Sequence, residues 1–216
     1  MRTIAASAGP VDTARHMQPA DAEQAADGDD EALMLAYARG KARAFELLYA
    51  RHKGATYRYF LRHVNGHAAT ADELHQDLWM KVVGARTRYS ASARFTTWLY
   101  TLARHRLIDH WRARSGVDFD SIDDEASAAA ADVAVAAMRP TEDEPLRATM
   151  DAQAGRRLVS ALHDVPRLQR DAFLLHIEGG LSLAEIAGLT TSSEETVKSR
   201  LRYAYRKLRA ALEDLQ

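Results

Sequence analysis

A chain of 216 residues, 47% of them apolar, is long enough to bury one medium core or two small ones, and its 29 basic and 30 acidic side chains give it no strong overall pull toward polyanions. The absence of cysteine excludes disulfides, thiolate nucleophiles and most structural zinc arrangements, and suits a reducing compartment. No apolar run approaches the ~20 residues of a membrane span, and the N-terminus lacks the apolar core of a secretory signal, so the expected location is cytoplasmic, with no membrane partner.

Residues 1–28 hold Gly9, Pro10, Pro19 and Gly28 among alanines and acids without an apolar period, and read as a disordered tail. From Asp29 the pattern turns helical through Leu33, Tyr37, Phe45, Leu48, Tyr57 and Phe60 to a stop at Asn65-Gly66. The spacing predicts a further helix over 71–85 with Leu74, Leu78 and Val82 on one stripe, and another over 95–113 with Phe95, Leu99, Ala103 and Leu107 on another. Nothing in this first unit, 29–114, reads as a strand.

Charge then changes abruptly. Between Arg86 and Arg114 seven arginines face a single acid, Asp109, whereas Ser115 to Asp151 carries ten acids against Arg139 and Arg147. Residues 115–150 therefore read as an acidic, flexible linker, and 151–216 as a second small helical domain. The expected fold is all-α, two small helical domains on a linker. A linker of ~35 residues reaches ~115 Å when extended, so the two domains can act at widely separated points.

In the second domain Ser182 and Glu185 have capping-box spacing and should start a short helix closing near Gly188, and Ser192 and Glu195 repeat the device. Two helices so close in sequence must meet at a tight turn, as in a helix-turn-helix. The second, over 193–212, has an apolar stripe of Val197, Leu201, Ala204, Leu208 and Ala211. Its opposite face presents Glu195, Thr196, Ser199, Arg202, Tyr203 and Arg206, flanked by Lys198, Arg200 and Lys207. Arginine and lysine neutralise phosphates, and short polar side chains near a helix start reach base edges, so this face is the candidate for duplex DNA; a plain solvated basic face is the alternative.

The predicted helix at 95–113 interleaves aromatic and basic residues, a combination suited to stacking on unpaired bases while holding phosphate. Aromatics at this spacing also fill cores, and Phe95 is expected inside, Trp98 at the border. The candidate nucleic-acid surface is Thr97, Trp98, Thr101, Arg104, His105 and Arg112, with the preceding loop of Arg86, Arg88 and Tyr89. On the helix at 71–85, opposite the apolar stripe, Asp72, Glu73, Gln76, Trp79, Met80 and Val83 form a mixed acidic and apolar face that fits a partner protein; packing of Trp79 and Met80 under neighbouring helices is the alternative.

Taken together these segments resemble the extracytoplasmic-function group of bacterial sigma factors, over 29–114 and 151–212. Asp72-Glu73-Leu74-His75-Gln76-Asp77-Leu78-Trp79-Met80 is similar to the family's helix that docks on core RNA polymerase, 95–111 to its start-proximal promoter segment, and Leu181 to Ala187 with Glu195 to Arg202 to its upstream helix-turn-helix. The resemblance implies docking through Asp72, Glu73, Gln76, Asp77, Trp79 and Met80, duplex promoter DNA upstream, and single-stranded promoter DNA near the start. An anti-sigma protein is a further partner that the family commonly has. His105, where many relatives carry Asn, and the Glu194-Glu195 pair depart from the family pattern and bear on sequence preference.

Two other functions have less in the sequence. For an enzyme, none of the nine histidines has metal-ligand company: His63 and His67 share a face without an intervening acid, His105 and His110 sit among arginines, and no phosphate loop or nucleophile elbow is present. No cofactor and no metal are expected. A stand-alone helix-turn-helix regulator would use the same C-terminal helix without polymerase.

Overall fold

The computed structural model describes residues 29–115 and 159–213. The expected N-terminal tail, nearly all of the acidic linker, and residues 151–158 of the second domain lie outside the described residues.

Among the described residues the first half is built from helices α1 (Asp30–Ala38), α2 (Ala42–His63), α3 (Ala68–Ala85) and α4 (Phe95–Ser115), with a single 3-10 turn at Arg86–Arg88 before α4. Each boundary has a local cause. Asp29 caps α1, its carboxylate accepting from the Ala32 N–H at 2.7 Å. The Asn65-Gly66 stop ends α2 with both residues at positive φ, 56° and 80°, and the Gly66 N–H reaching back to the Leu61 carbonyl at 2.8 Å. The Phe95 N–H, an orphan donor at the start of α4, donates to the Glu31 carboxylate of α1, placing negative charge where the helix dipole favours it.

The apolar stripes read from the sequence face one core. Leu74, Leu78 and Val82 of α3 and Phe95, Leu99, Ala103 and Leu107 of α4 are fully buried against Met34, Leu48 and Phe60. Each large side chain so removed from water contributes about 1.5–3 kcal/mol.

In the second half residues 159–163 are helical, followed by α5 (Arg167–Ile177), α6 (Leu183–Thr190) and α7 (Glu194–Glu213). Helix α5 ends at Gly179-Gly180, where the Leu181 N–H bonds the Leu175 carbonyl at 3.3 Å and Gly180 has φ 61°. Gly179 has no room for a side chain: a Cβ there would lie 2.6 Å from the Leu175 carbonyl oxygen and from Leu181, and 3.2 Å from the Tyr100 ring of α4.

That last contact belongs to a feature the sequence did not suggest. The two halves are packed against each other, and a single apolar cluster runs through both. At the seam Asp171 of α5 is buried, accepting from the Tyr59 hydroxyl at 2.9 Å and the Arg104 Nε at 2.8 Å. The linker reading allowed the halves to separate; in this structure they are closed together.

Candidate nucleic-acid and polymerase interfaces

Helices α6 and α7 form the helix-turn-helix. Ser182 and Glu185 make the full capping box, the Glu185 N–H donating to the Ser182 hydroxyl at 3.3 Å and the Ser182 N–H to the Glu185 carboxylate at 2.9 Å. Two details differ from the sequence reading. Helix α6 does not close near Gly188 but runs on to Thr190, and Thr191 takes the left-handed conformation at φ 53°. That turn carries the chain one residue further, so Ser193 caps α7, accepting from the Thr196 N–H at 3.1 Å, while the Ser192 hydroxyl pairs with that of Thr190 at 2.8 Å.

On α7 the stripe Val197, Leu201, Ala204 and Leu208 is buried and Ala211 is exposed. The opposite face is accessible: Glu195, Lys198, Arg206 and Lys207 are exposed, and Thr196, Ser199, Arg200, Arg202 and Tyr203 are half-buried. Glu195 lies among the bases of its own helix, 3.1 Å from Arg202 and 3.9 Å from Lys198, and the Arg206 guanidinium sits over the Tyr203 ring. The acid thus steadies Arg202 while leaving the face basic.

The start-proximal candidates are less uniform. Arg86, Arg88, His105 and Arg112 are exposed and Thr101 is half-buried, its hydroxyl bonded to the Thr97 carbonyl at 2.8 Å. Tyr89 is inside, edge-on to Trp98 and Phe95, and burial followed by the charge of Glu31 pushes its phenol up to about 12. Trp98 is half-buried beside it, while Trp111 stacks edge-on with His63 under the Arg167 guanidinium. Arg104 does not face solvent as expected: it is 6% exposed and bonded to Asp171. Thr97 donates to Glu185 of α6 at 2.5 Å, and Arg94 lies 3.6 Å from the same carboxylate.

The seam is electrostatically strong. Burial pushes the Asp171 carboxyl up, but His63 and the Arg104 charge outweigh it and hold the group below its ordinary value. Burial pushes His63 down against the opposing pull of Asp171, 3.4 Å from its Nε2. Glu178, at the end of α5, joins Arg62 and sits 2.9 Å from the Arg58 Nε.

On α3, Asp72, Glu73, Gln76 and Met80 are exposed and Asp77 is partly so, paired at 2.7 Å with Arg106 of α4. Trp79 corrects the sequence reading. It is 5% exposed, lying edge-on to Phe45 and Tyr49 of α2, and its Nε1–H donates to His75 at 3.0 Å. The exposed aromatic near this face is instead Tyr49, which with Met80 makes up the large apolar side chains left exposed among the described residues. Only its place on α2 against Trp79 reveals this, and no pattern within α3 could have.

Residues 48–117 match the Sigma-70 region 2 family and residues 155–208 the Sigma-70, region 4 family. The RNA polymerase sigma factor CarQ of Myxococcus xanthus is 31% identical over 82% of this chain and 94% of its own, and the ECF RNA polymerase sigma factor SigL of Mycobacterium tuberculosis is 31% identical over the same shares. The chain belongs to the extracytoplasmic-function sigma factors. The fold of this sigma factor is shared with RpoE of Bartonella quintana, solved in complex with the anti-sigma factor NepR, with a TM-score of 0.58 at 19% identity over 81% of this chain and all of that one. Among the described residues of the sigma factor, no helix is long and apolar enough to cross a membrane, and no group of three His, Asp or Glu side chains is placed to hold a metal ion.

Proposed function

We propose that this sigma factor docks on core RNA polymerase, reads duplex promoter DNA upstream with α7, and takes up the opening strand near the start with the 86–94 loop and α4. The observation that carries this reading is the α6–α7 pair: a helix-turn-helix with its apolar stripe inside, an accessible basic face outside, in a chain that belongs to a promoter-reading family. Thr196, Ser199 and Glu195, near the α7 start, are the side chains for base edges, and Lys198, Arg200, Arg202, Tyr203 and Arg206 for phosphate.

Docking uses the exposed face of α3: Asp72, Glu73, Gln76, Asp77 and Met80, with Trp79 supporting that face from beneath rather than touching the partner. Residues 29–114 and 151–216 act as the two promoter-reading domains, with 115–150 as the connection and 1–28 as a tail. The protein acts in the cytoplasm and catalyses no reaction itself. An anti-sigma protein is the regulator that the solved relative suggests, since RpoE was captured with NepR. The relatives favour this reading over a stand-alone regulator.

Run-off transcription with core polymerase on a library of promoters tests it directly. Transcripts should require both proteins and start from a defined subset of promoters, and Thr196→Ala with Ser199→Ala should change which promoters are chosen. Tight operator binding by the chain alone, with no polymerase-dependent transcript, would sink it.

A further inference from the structure

A cavity of about 360 Å³ lies where the end of α2, the first turn of α3, the last turns of α4 and the start of α5 meet. Its cationic side chains are Arg114 of α4 and Arg167 of α5, with His110 beside them, and no acid lines it among the described residues. Trp111 supplies a flat wall, with His63 edge-on to it at 5.5 Å between ring centroids and the Arg167 guanidinium over its ring. Burial, then the charges of Arg114 and Arg106, hold His110 below its ordinary value, as a positive field requires.

Hydrogen-bond donors point to the same chemistry. At the rim His67 caps α3: its Nδ1 accepts from the Thr70 N–H at 3.3 Å and lies 2.8 Å from the Thr70 hydroxyl, which leaves the ring proton on Nε2 as a donor. The first N–H groups of a helix have no partner within it and carry positive partial charge. Helix α5 also begins here, at Arg167, with no side-chain cap. Behind them His63 is 3% exposed, and its Nδ1 has no hydrogen-bond partner among the described residues.

We propose that this cavity binds a free mononucleotide, its phosphates held by Arg114, Arg167 and the start of α3, and its base set among Trp111, His67 and His110. A lone phosphate would fill a small part of the space, whereas its 360 Å³ falls among small-molecule sites of roughly 300–1,000 Å³. Flat and cationic side chains together suit a base that carries its own phosphate. The promoter strand fits less well. By 100° steps along α4, Thr101, His105 and Arg112 lie about 150° around the helix from His110, Trp111 and Arg114, so the proposed promoter face and the cavity are on opposite sides.

The test is isothermal titration calorimetry of the full chain, without polymerase, with each of the four ribonucleoside triphosphates, inorganic triphosphate, and a short single-stranded deoxyoligonucleotide. At least one nucleotide should bind with a Kd below about 1 mM, and roughly tenfold more tightly than inorganic triphosphate. Arg114→Gln with Arg167→Gln should weaken that binding roughly tenfold, and Arg39→Gln with Arg43→Gln, which removes equal charge from exposed positions elsewhere, by less than about twofold. The nucleotide should quench indole fluorescence in the wild type and not in Trp111→Phe. Absence of nucleotide binding, inorganic triphosphate binding as tightly, or equal losses in the two charge-removing variants overturns the proposal. An oligonucleotide that displaces the nucleotide and is weakened by the same cavity variant also overturns it, giving the space to promoter DNA. If Arg167→Gln lowers the melting temperature, His110→Gln with Arg114→Gln decides by the same readings.

Discussion

Helices α4 and α7 both carry arginines beside apolar stripes, yet the structure uses them differently. On α7 the two faces are separate: the stripe from Val197 to Leu208 is buried, and opposite it Lys198, Arg206 and Lys207 are exposed while Arg200 and Arg202 are half-buried. On α4 the arginines are divided. Arg112 is exposed, Arg106 turns to Asp77 of α3, and Arg104 turns inward to Asp171. Basic composition on a helix therefore names candidates only, and packing against the rest of the chain decides which of them reach solvent.

The largest expected effect tests whether α4 is first a core helix. Phe95→Ala removes a fully buried ring and should destabilise the protein by about 3–5 kcal/mol in urea unfolding. Loss below about 1 kcal/mol would mean that α4's apolar side is not what holds it.

On α7, Arg202→Ala should weaken binding of duplex promoter by the polymerase complex by about 1–3 kcal/mol and lower the salt dependence, whereas Arg104→Ala should leave duplex binding unchanged. Equal losses in filter binding would erase the distinction between the two helices.

Acidification should loosen the seam. His63 is held below its ordinary value of 6.5 by burial, and the groups facing it are Asp171, Arg170 and Arg104. Because its pKa is depressed in the folded protein, the unfolded chain binds the proton first, so stability is fully present above about pH 6.5 and falls as pH drops below it. Asp171 adds to the same trend at lower pH, since its depressed pKa contributes stability that is lost as pH falls below its unfolded value of 3.8. Thermal melts between about pH 7.5 and about pH 5 should show a decline that His63→Phe flattens, provided Tyr59 and Trp111 accept the larger ring.

The smallest effects separate two adjacent serines. Ser193→Ala should cost about 1 kcal/mol, the usual worth of a lost helix cap, and Ser192→Ala less than about half of that. The reverse order in chemical unfolding would place the α7 cap where the sequence spacing put it.

That last pair shows where sequence reading reached its limit. The apolar stripes of α3, α4 and α7 were legible because helical periodicity is local, and so was the Ser182–Glu185 box. Four hydroxyl residues in succession, Thr190 to Ser193, all suit a turn and a cap, and only the left-handed Thr191 decides between them. Trp79 stood opposite the α3 stripe by angle, but α2 brings Phe45 and Tyr49 over it. The partner of Arg104 is 67 residues away in sequence, beyond any periodicity.

Gly179 gives the closed arrangement a physical threshold. One added carbon at that position meets its own helix, the next leucine and the Tyr100 ring at once. Gly179→Ala would first force the turn after α5 to shift, since its two tightest contacts are with the Leu175 carbonyl and Leu181, while Tyr100 need give only a few tenths of an ångström. The missing methyl group thus serves the turn first and the seam second: it lets the chain reverse tightly after α5, and that reversal holds Glu178 where Arg58 and Arg62 meet it.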